Sequence, residues 1–224
     1  MTINYKTLDD LWAYVYRLNE KHFPENELMP ILGNGKKNHP KIMFVFINPT
    51  FRNISSNKNW KGPRFPFIGT KQIWKIFHRA GLFNDELIDR INKDSKWSLA
   101  FTNEVLKFLI KKEFYFTNLV KWTGQDATLP ESEKIKLFLP ILEKEIEIVQ
   151  PKYIVAFGLI PFYNLTKQKI KLLDYYHDVV KNDNLKSYNL SISLVHSKVI
   201  PCYFPTGRGN PKRAVELLKL VKRL

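Results

Sequence analysis

Two short and nearly all-apolar runs, Ile42-Met-Phe-Val-Phe-Ile47 and Tyr153-Ile-Val-Ala-Phe157, constrain this chain more than any other feature. Runs of that length, bounded by Asn48-Pro49 on one side and Gly158 on the other, read as strands covered on both faces. A third strand, Phe114-Tyr-Phe-Thr-Asn-Leu119, lies between them, and Val199 to Tyr203 reads as another. The stretches in between carry helical spacing. Thr7 and Asp10 form a capping pair before Leu8, Leu11, Trp12, Val15 and Leu18, and Pro24 stops that helix. Further helices are expected from Gln72 to Ala80, closed by Gly81, and over Leu99 to Ile110. Another starts near Thr128-Leu-Pro-Glu131 and runs through Phe138, Ile141, Leu142, Ile146 and Val149, and the last covers Pro211 to Leu224. Strand-like alternation is also expected over Leu190 to Leu194, and residues 50 to 69 read as an irregular loop.

Strands alternating with helices of ten or more residues imply an α/β fold around a mainly parallel sheet. In such sheets ligands bind beyond the carboxyl ends of the strands, which singles out Asn48-Pro49, Asn118 onward, Gly158 and Phe204 to Gly209. The 224 residues suit one domain spanning 1–224. No stretch approaches the apolar length of a membrane span, and the opening residues lack a signal-peptide pattern. The expectation is a soluble protein that stays inside the cell. A single cysteine, Cys202, leaves no material for an internal disulfide or a cysteine-bound cluster. The formal charge of +15, from 36 Lys and Arg against 21 Asp and Glu, favours a polyanionic partner, nucleic acid first. A generally solvated lysine-rich surface is the plainer alternative.

Four segments then converge. They are Pro30-Ile-Leu-Gly-Asn-Gly35 with Lys41-Ile-Met-Phe-Val-Phe-Ile-Asn-Pro-Thr50; Arg64-Phe-Pro-Phe-Ile-Gly69; Phe116-Thr-Asn-Leu-Val-Lys121; and Ile200-Pro-Cys-Tyr-Phe-Pro-Thr-Gly207. In order and spacing, with Gln150 to Gly158 between the last two, this chain resembles the uracil-DNA glycosylase superfamily from about Pro30 onward. The resemblance implies a three-layer α/β/α sandwich with a central, mainly parallel sheet of four to five strands. It also implies hydrolysis of the N-glycosidic bond of a base flipped out of DNA, by a monomer, without metal or cofactor. A prokaryotic, cytoplasmic and nucleoid-associated location goes with it.

Site residues follow motif by motif. Asn48 matches the position that orients the attacking water or contacts the sugar face in the mismatch-directed branch. Phe67 matches the ring that stacks on the extruded base, and Asn118 the amide that reads the pyrimidine edge. From residue type alone, Phe67 equally suits a core position and Asn118 a local turn. Ile47 and Phe204 complete the base-binding set, and Thr206, Gly207, Arg208, Lys212 and Lys121 are the expected DNA contacts. Lys61, Arg64 and Arg213 are further candidates for phosphate.

Two departures stand out. The thermostable branch carries four cysteines for an iron-sulfur cluster, at positions matching Glu20, Phe23, Trp122 and Phe138 here. Its acidic residue of the first motif falls at Ile47, and the second-motif histidine at Phe204. Uracil, hypoxanthine and mismatched thymine therefore all remain open as the excised base, and so does a silent DNA-binding relative.

Overall fold

The computed structural model describes residues 3–93, 97–192, 195–207 and 209–224. In chain order its elements are α1 (Leu8–His22), β1 (Asn34–Gly35), β2 (Ile42–Phe46), α2 (Gln72–Arg79), α3 (Asp85–Lys93), α4 (Leu99–Lys111), β3 (Phe114–Asn118), α5 (Ser132–Val149), β4 (Tyr153–Phe157), α6 (Leu159–Thr166), α7 (Leu172–Lys181), β5 (Tyr188–Asn189), β6 (Lys198–Cys202) and α8 (Pro211–Val221). The capping pair is present at the start of α1: Thr7 Oγ1 accepts the Asp10 N–H at 3.2 Å and donates to Asp10 Oδ2 at 2.6 Å.

The sheet has six strands in the order β1-β3-β2-β4-β6-β5. β3, β2, β4 and β6 are mutually parallel, whereas the two-residue strands β1 and β5 close the edges antiparallel. These edges raise the strand number above the expected four to five, because two residues are too short to leave a periodic pattern. The register sets Phe46 opposite Asn118, Val45 opposite Ala156, and Phe157 opposite Cys202. All four parallel strands thus end at the same rim of the sheet.

Alternation along the strands divides the core. Phe44, Phe46, Phe116, Val155 and Phe157 face one way, toward α2, α3, α4, α7 and α8. Met43, Val45, Tyr115, Ile154 and Ala156 face the other, toward α1, α5 and α6. The result is three layers, helices on both sides of the sheet. Each fully buried ring or branched side chain contributes about 1.5–3 kcal/mol of burial free energy. No helix among the described residues is long and apolar enough to cross a membrane.

Three helices, α3, α6 and α7, lie beyond the sequence reading. The alternation over 190–194 does not mark a strand in residues 190–192; pairing occurs just before, at Tyr188 and Asn189, and residues 193–194 lie outside the described set. The long loop after β2 is tightly organised. Asn53 accepts from Ser55 N and Ser55 Oγ through Oδ1, and its Nδ2 donates to Phe65 O at 2.8 Å. Arg64 donates through Nε and Nη2 to the carbonyls of Ser55, Asn57 and Trp60, anchoring its guanidinium to this loop.

Candidate active site

The common rim of the parallel strands gathers most of the expected residues. Beyond β2 and β3 the chain continues as two zipped segments. Leu119 N donates to Phe46 O, Val120 N to Ile47 O, Gly124 N to Pro49 O and Phe51 N to Gly124 O, all at 2.8–3.0 Å. Asn48 is held in this zipper, half-buried, with Nδ2 donating to Pro49 O at 3.2 Å. Among the described residues its Oδ1 accepts no hydrogen bond, leaving an acceptor for a ligand proton or a water.

Asn118 ends β3 on the face that carries Phe116, by strand alternation. It is 1% exposed, and its amide nitrogen is enclosed with no acceptor among the described residues. An enclosed N–H without a partner costs about 1–3 kcal/mol. Among the described residues Asn118 shares the lack of a partner with Asn19 Oδ1 and Trp97 Nε1, and of the three it alone ends a parallel strand at the rim.

Phe67 packs edge-on against Phe46, the register neighbour of Asn118, with ring centroids 4.6 Å apart and planes at 81°. Phe46 in turn stacks on Phe157 at 4.6 Å and 5°. The Phe67 backbone has φ +72°, a left-handed conformation that costs a bulky residue about 1–3 kcal/mol. Three donors hold its carbonyl there: Thr70 N at 3.2 Å, Thr70 Oγ1 at 3.0 Å and Trp74 Nε1 at 3.1 Å. A half-buried ring is thereby fixed beside the strand end that carries the unpaired amide.

Ile47 is nearly buried, and a β-carbon added at Gly158 would stand 3.7 Å from its Cδ1. Phe204 is half-buried against the aromatic core. The loop beyond it turns back sharply, Gly209 N donating to Thr206 O and Asn210 N to Phe204 O, each at 3.0 Å. Gly209 has no substitute there, because a β-carbon would fall 1.8 Å from Phe204 O. Thr206 is half-buried, Gly207 is exposed at φ +59°, and Lys212 is exposed at the first turn of α8. Arg208 lies outside the described residues. Arg213 stacks over Tyr176 and Tyr203, its guanidinium carbon 5.2 and 5.5 Å from the two ring centroids.

Lys121 does not reach DNA. It is 0% exposed, paired with Glu145, and its ammonium also donates to Thr117 Oγ1 at 2.5 Å and Asn118 O at 2.7 Å. Burial lowers its pKa, with the Glu145 carboxylate opposing that shift. The expectation that it contacts phosphate is corrected on this ground. Glu145 itself was missed by the sequence reading, although a glutamate on the apolar stripe Ile141, Leu142, Ile146, Val149 signals a buried partner.

The four positions matching the cluster cysteines do not fit a thiolate-bound group. Phe23 lies 5.9 Å from Trp122 and 6.3 Å from Phe138, ring centroid to ring centroid, and Lys134 sits 4.4 Å over Trp122. Cys202 is buried at the end of β6, where burial pushes its thiol pKa up.

Fold and rim together define an α/β protein with two amides, Asn48 and Asn118, and the Phe67 ring gathered past the carboxyl ends of its parallel strands. A family model for the uracil DNA glycosylase superfamily matches residues 32–223, and the chain belongs to that superfamily. Membership brings a DNA glycosylase-type function and DNA as the partner. No curated protein matches the chain.

Proposed function

We propose that this chain, as one domain and as a monomer, removes uracil from DNA by hydrolysis of the N-glycosidic bond, without a cofactor. The observation that carries the reading is the enclosed, unpaired Asn118 amide beside the Phe67–Phe46 pair. An amide offers both an acceptor and donors, the complement of a uracil edge, while an adjacent ring supplies stacking worth about 1–3 kcal/mol per base. The water attacks the sugar C1′ as the C1′–N bond breaks; the hydroxyl stays on the sugar and the base departs with the bonding pair, taking up a proton. Asn48 Oδ1 orients that water. Ile47 and Phe204 wall the pocket, and Thr206, Gly207, Arg208 and Lys212 meet the backbone. With Asn118 at 1% exposure, base entry displaces what covers it.

A second reading has specific support. Apolar Ile47 and Phe204 occupy the places of the family's acid and histidine, and the reading amide is covered, as suits a relative that binds DNA without cutting. Incubation with oligonucleotides bearing uracil, hypoxanthine or a G·T pair, then alkali, separates the two. Scission of the uracil strand is expected, with Asn48→Ala slowing it about 100-fold or more while DNA affinity is kept. Salt-sensitive binding without scission on any substrate establishes the silent binder instead.

A further inference from the structure

The face of the sheet opposite the base site holds a buried polar network that the glycosylase reading does not use. Lys121 has three N–H donors and all are spent: on Thr117 Oγ1, on Asn118 O and on Glu145 Oε2. Glu145 also accepts Tyr115 OH at 2.8 Å and Thr117 Oγ1 at 3.0 Å. Lys121 and Glu145 are both 0% exposed. The chain at Gly33 presses on this cluster so closely that a β-carbon there would lie 2.0 Å from Glu145 Oε1 and 2.5 Å from Tyr115 OH.

Burying two charges is a poor way to gain stability, since well-packed apolar residues of similar volume hold a core as well or better. The network calls for another purpose, and its geometry supplies one. The Asn118 amide nitrogen has no partner, so nothing attached to that nitrogen orients it in the free protein. Its direction depends on the backbone of Asn118, and Lys121 grips that backbone through the carbonyl, at the last residue of β3. The neighbouring Thr117 is gripped by the same ammonium and the same carboxylate.

We propose that Lys121, together with Glu145 and Thr117, is a positioning residue that fixes the base-reading Asn118 from the opposite face of the sheet. The proposal rests on the glycosylase reading of Asn118, and its test keeps the two apart. Three variants are compared with wild type: Lys121→Met combined with Glu145→Gln, which removes both charges but leaves an acceptor for Tyr115; Thr117→Val, a milder break; and Asn118→Ala, alone and combined with the first. Each is measured for single-turnover excision of uracil, for affinity to undamaged duplex, and by NMR of the Asn118 side-chain amide.

The expected result is a single-turnover rate lowered roughly 10- to 100-fold in the paired variant, the scale on which misplacing a contact group acts. Duplex affinity stays within about twofold, because no DNA contact is removed. Thr117→Val moves the rate the same way by less. The Asn118 amide signals shift or broaden in both, and the paired change costs nothing further once Asn118 is alanine. Losses that multiply independently of Asn118, or amide signals identical to wild type, overturn the proposal. If wild type excises no base, the glycosylase reading falls, and the amide signals alone decide whether the clamp exists. If the paired variant does not fold, Thr117→Val decides by the same measurements.

Discussion

The two faces of the central sheet are filled by different chemistry. One is paved with rings: Phe44, Phe46, Phe116 and Phe157 meet one another and Phe77 at centroid distances of 4.6–6.2 Å. The other is mostly aliphatic but encloses Tyr115, Thr117, Lys121 and Glu145, each bonded to its neighbours. Dispersion between rings is spread over many weak contacts and degrades gradually when one is trimmed. A saturated polar network does not, because every lost partner strands another group. Asn118, proposed to read the base, ends β3 on the tolerant face, and the Lys121–Glu145 clamp proposed for it lies on the brittle one.

The largest expected effect comes from breaking the brittle side. Glu145→Ala leaves a buried ammonium without its counter-ion and should lower stability by about 3–5 kcal/mol in chemical denaturation. The same variant has a pH signature. Burial depresses the Lys121 pKa in the folded state, so between that value and the ordinary 10.5 the unfolded chain binds more protons, and stability rises with pH. Without Glu145 to oppose the shift, this rise should begin at lower pH and be larger in total; a profile parallel to wild type would dissolve the contrast between the faces. Phe157→Leu, on the tolerant side and equally enclosed, should cost only about 1–2 kcal/mol. A loss as large as that of Glu145→Ala would show that the stacked rings are no more forgiving than the ion pair.

The smallest effect sharpens the comparison at alkaline pH. Burial, reinforced by Glu145, raises the Tyr115 hydroxyl well above its usual value of 10.0. The unfolded tyrosine ionises near 10 while the folded one stays neutral, so stability is lost as pH rises past that point. The loss is about 0.4 kcal/mol at pH 10, growing toward about 1.4 kcal/mol per further unit. Denaturation followed across that range in wild type and Tyr115→Phe should show the fall diminished in the variant.

Much of this arrangement was legible in the residues. β2 and β4 announce themselves as uninterrupted apolar runs, and α1 through Thr7 and its periodic stripe. The motif residues Asn48, Ile47 and Asn118 were placed at strand ends, and the parallel order brings those ends together. Other elements leave no such trace. α6 follows β4 directly, and its Leu159-Ile-Pro-Phe sequence prolongs an apolar run without helical contrast, with a proline that reads as a breaker. α3 offers only Leu87, Ile88 and Ile91 as a buried stripe. The assignment of Lys121 to phosphate failed because a lysine is ordinarily solvated, and its partner stands 24 residues further on, in α5. Only the fold joins them.

The aromatic cluster of Phe23, Trp122 and Phe138 joins the end of α1, the segment after β3 and the middle of α5. In place of thiolates, rings make this join, with the Lys134 ammonium seated over Trp122. None of these three positions carries a sulfur for an oxidant or a soft metal to reach, so the join between the segments depends on ring packing and not on a thiolate.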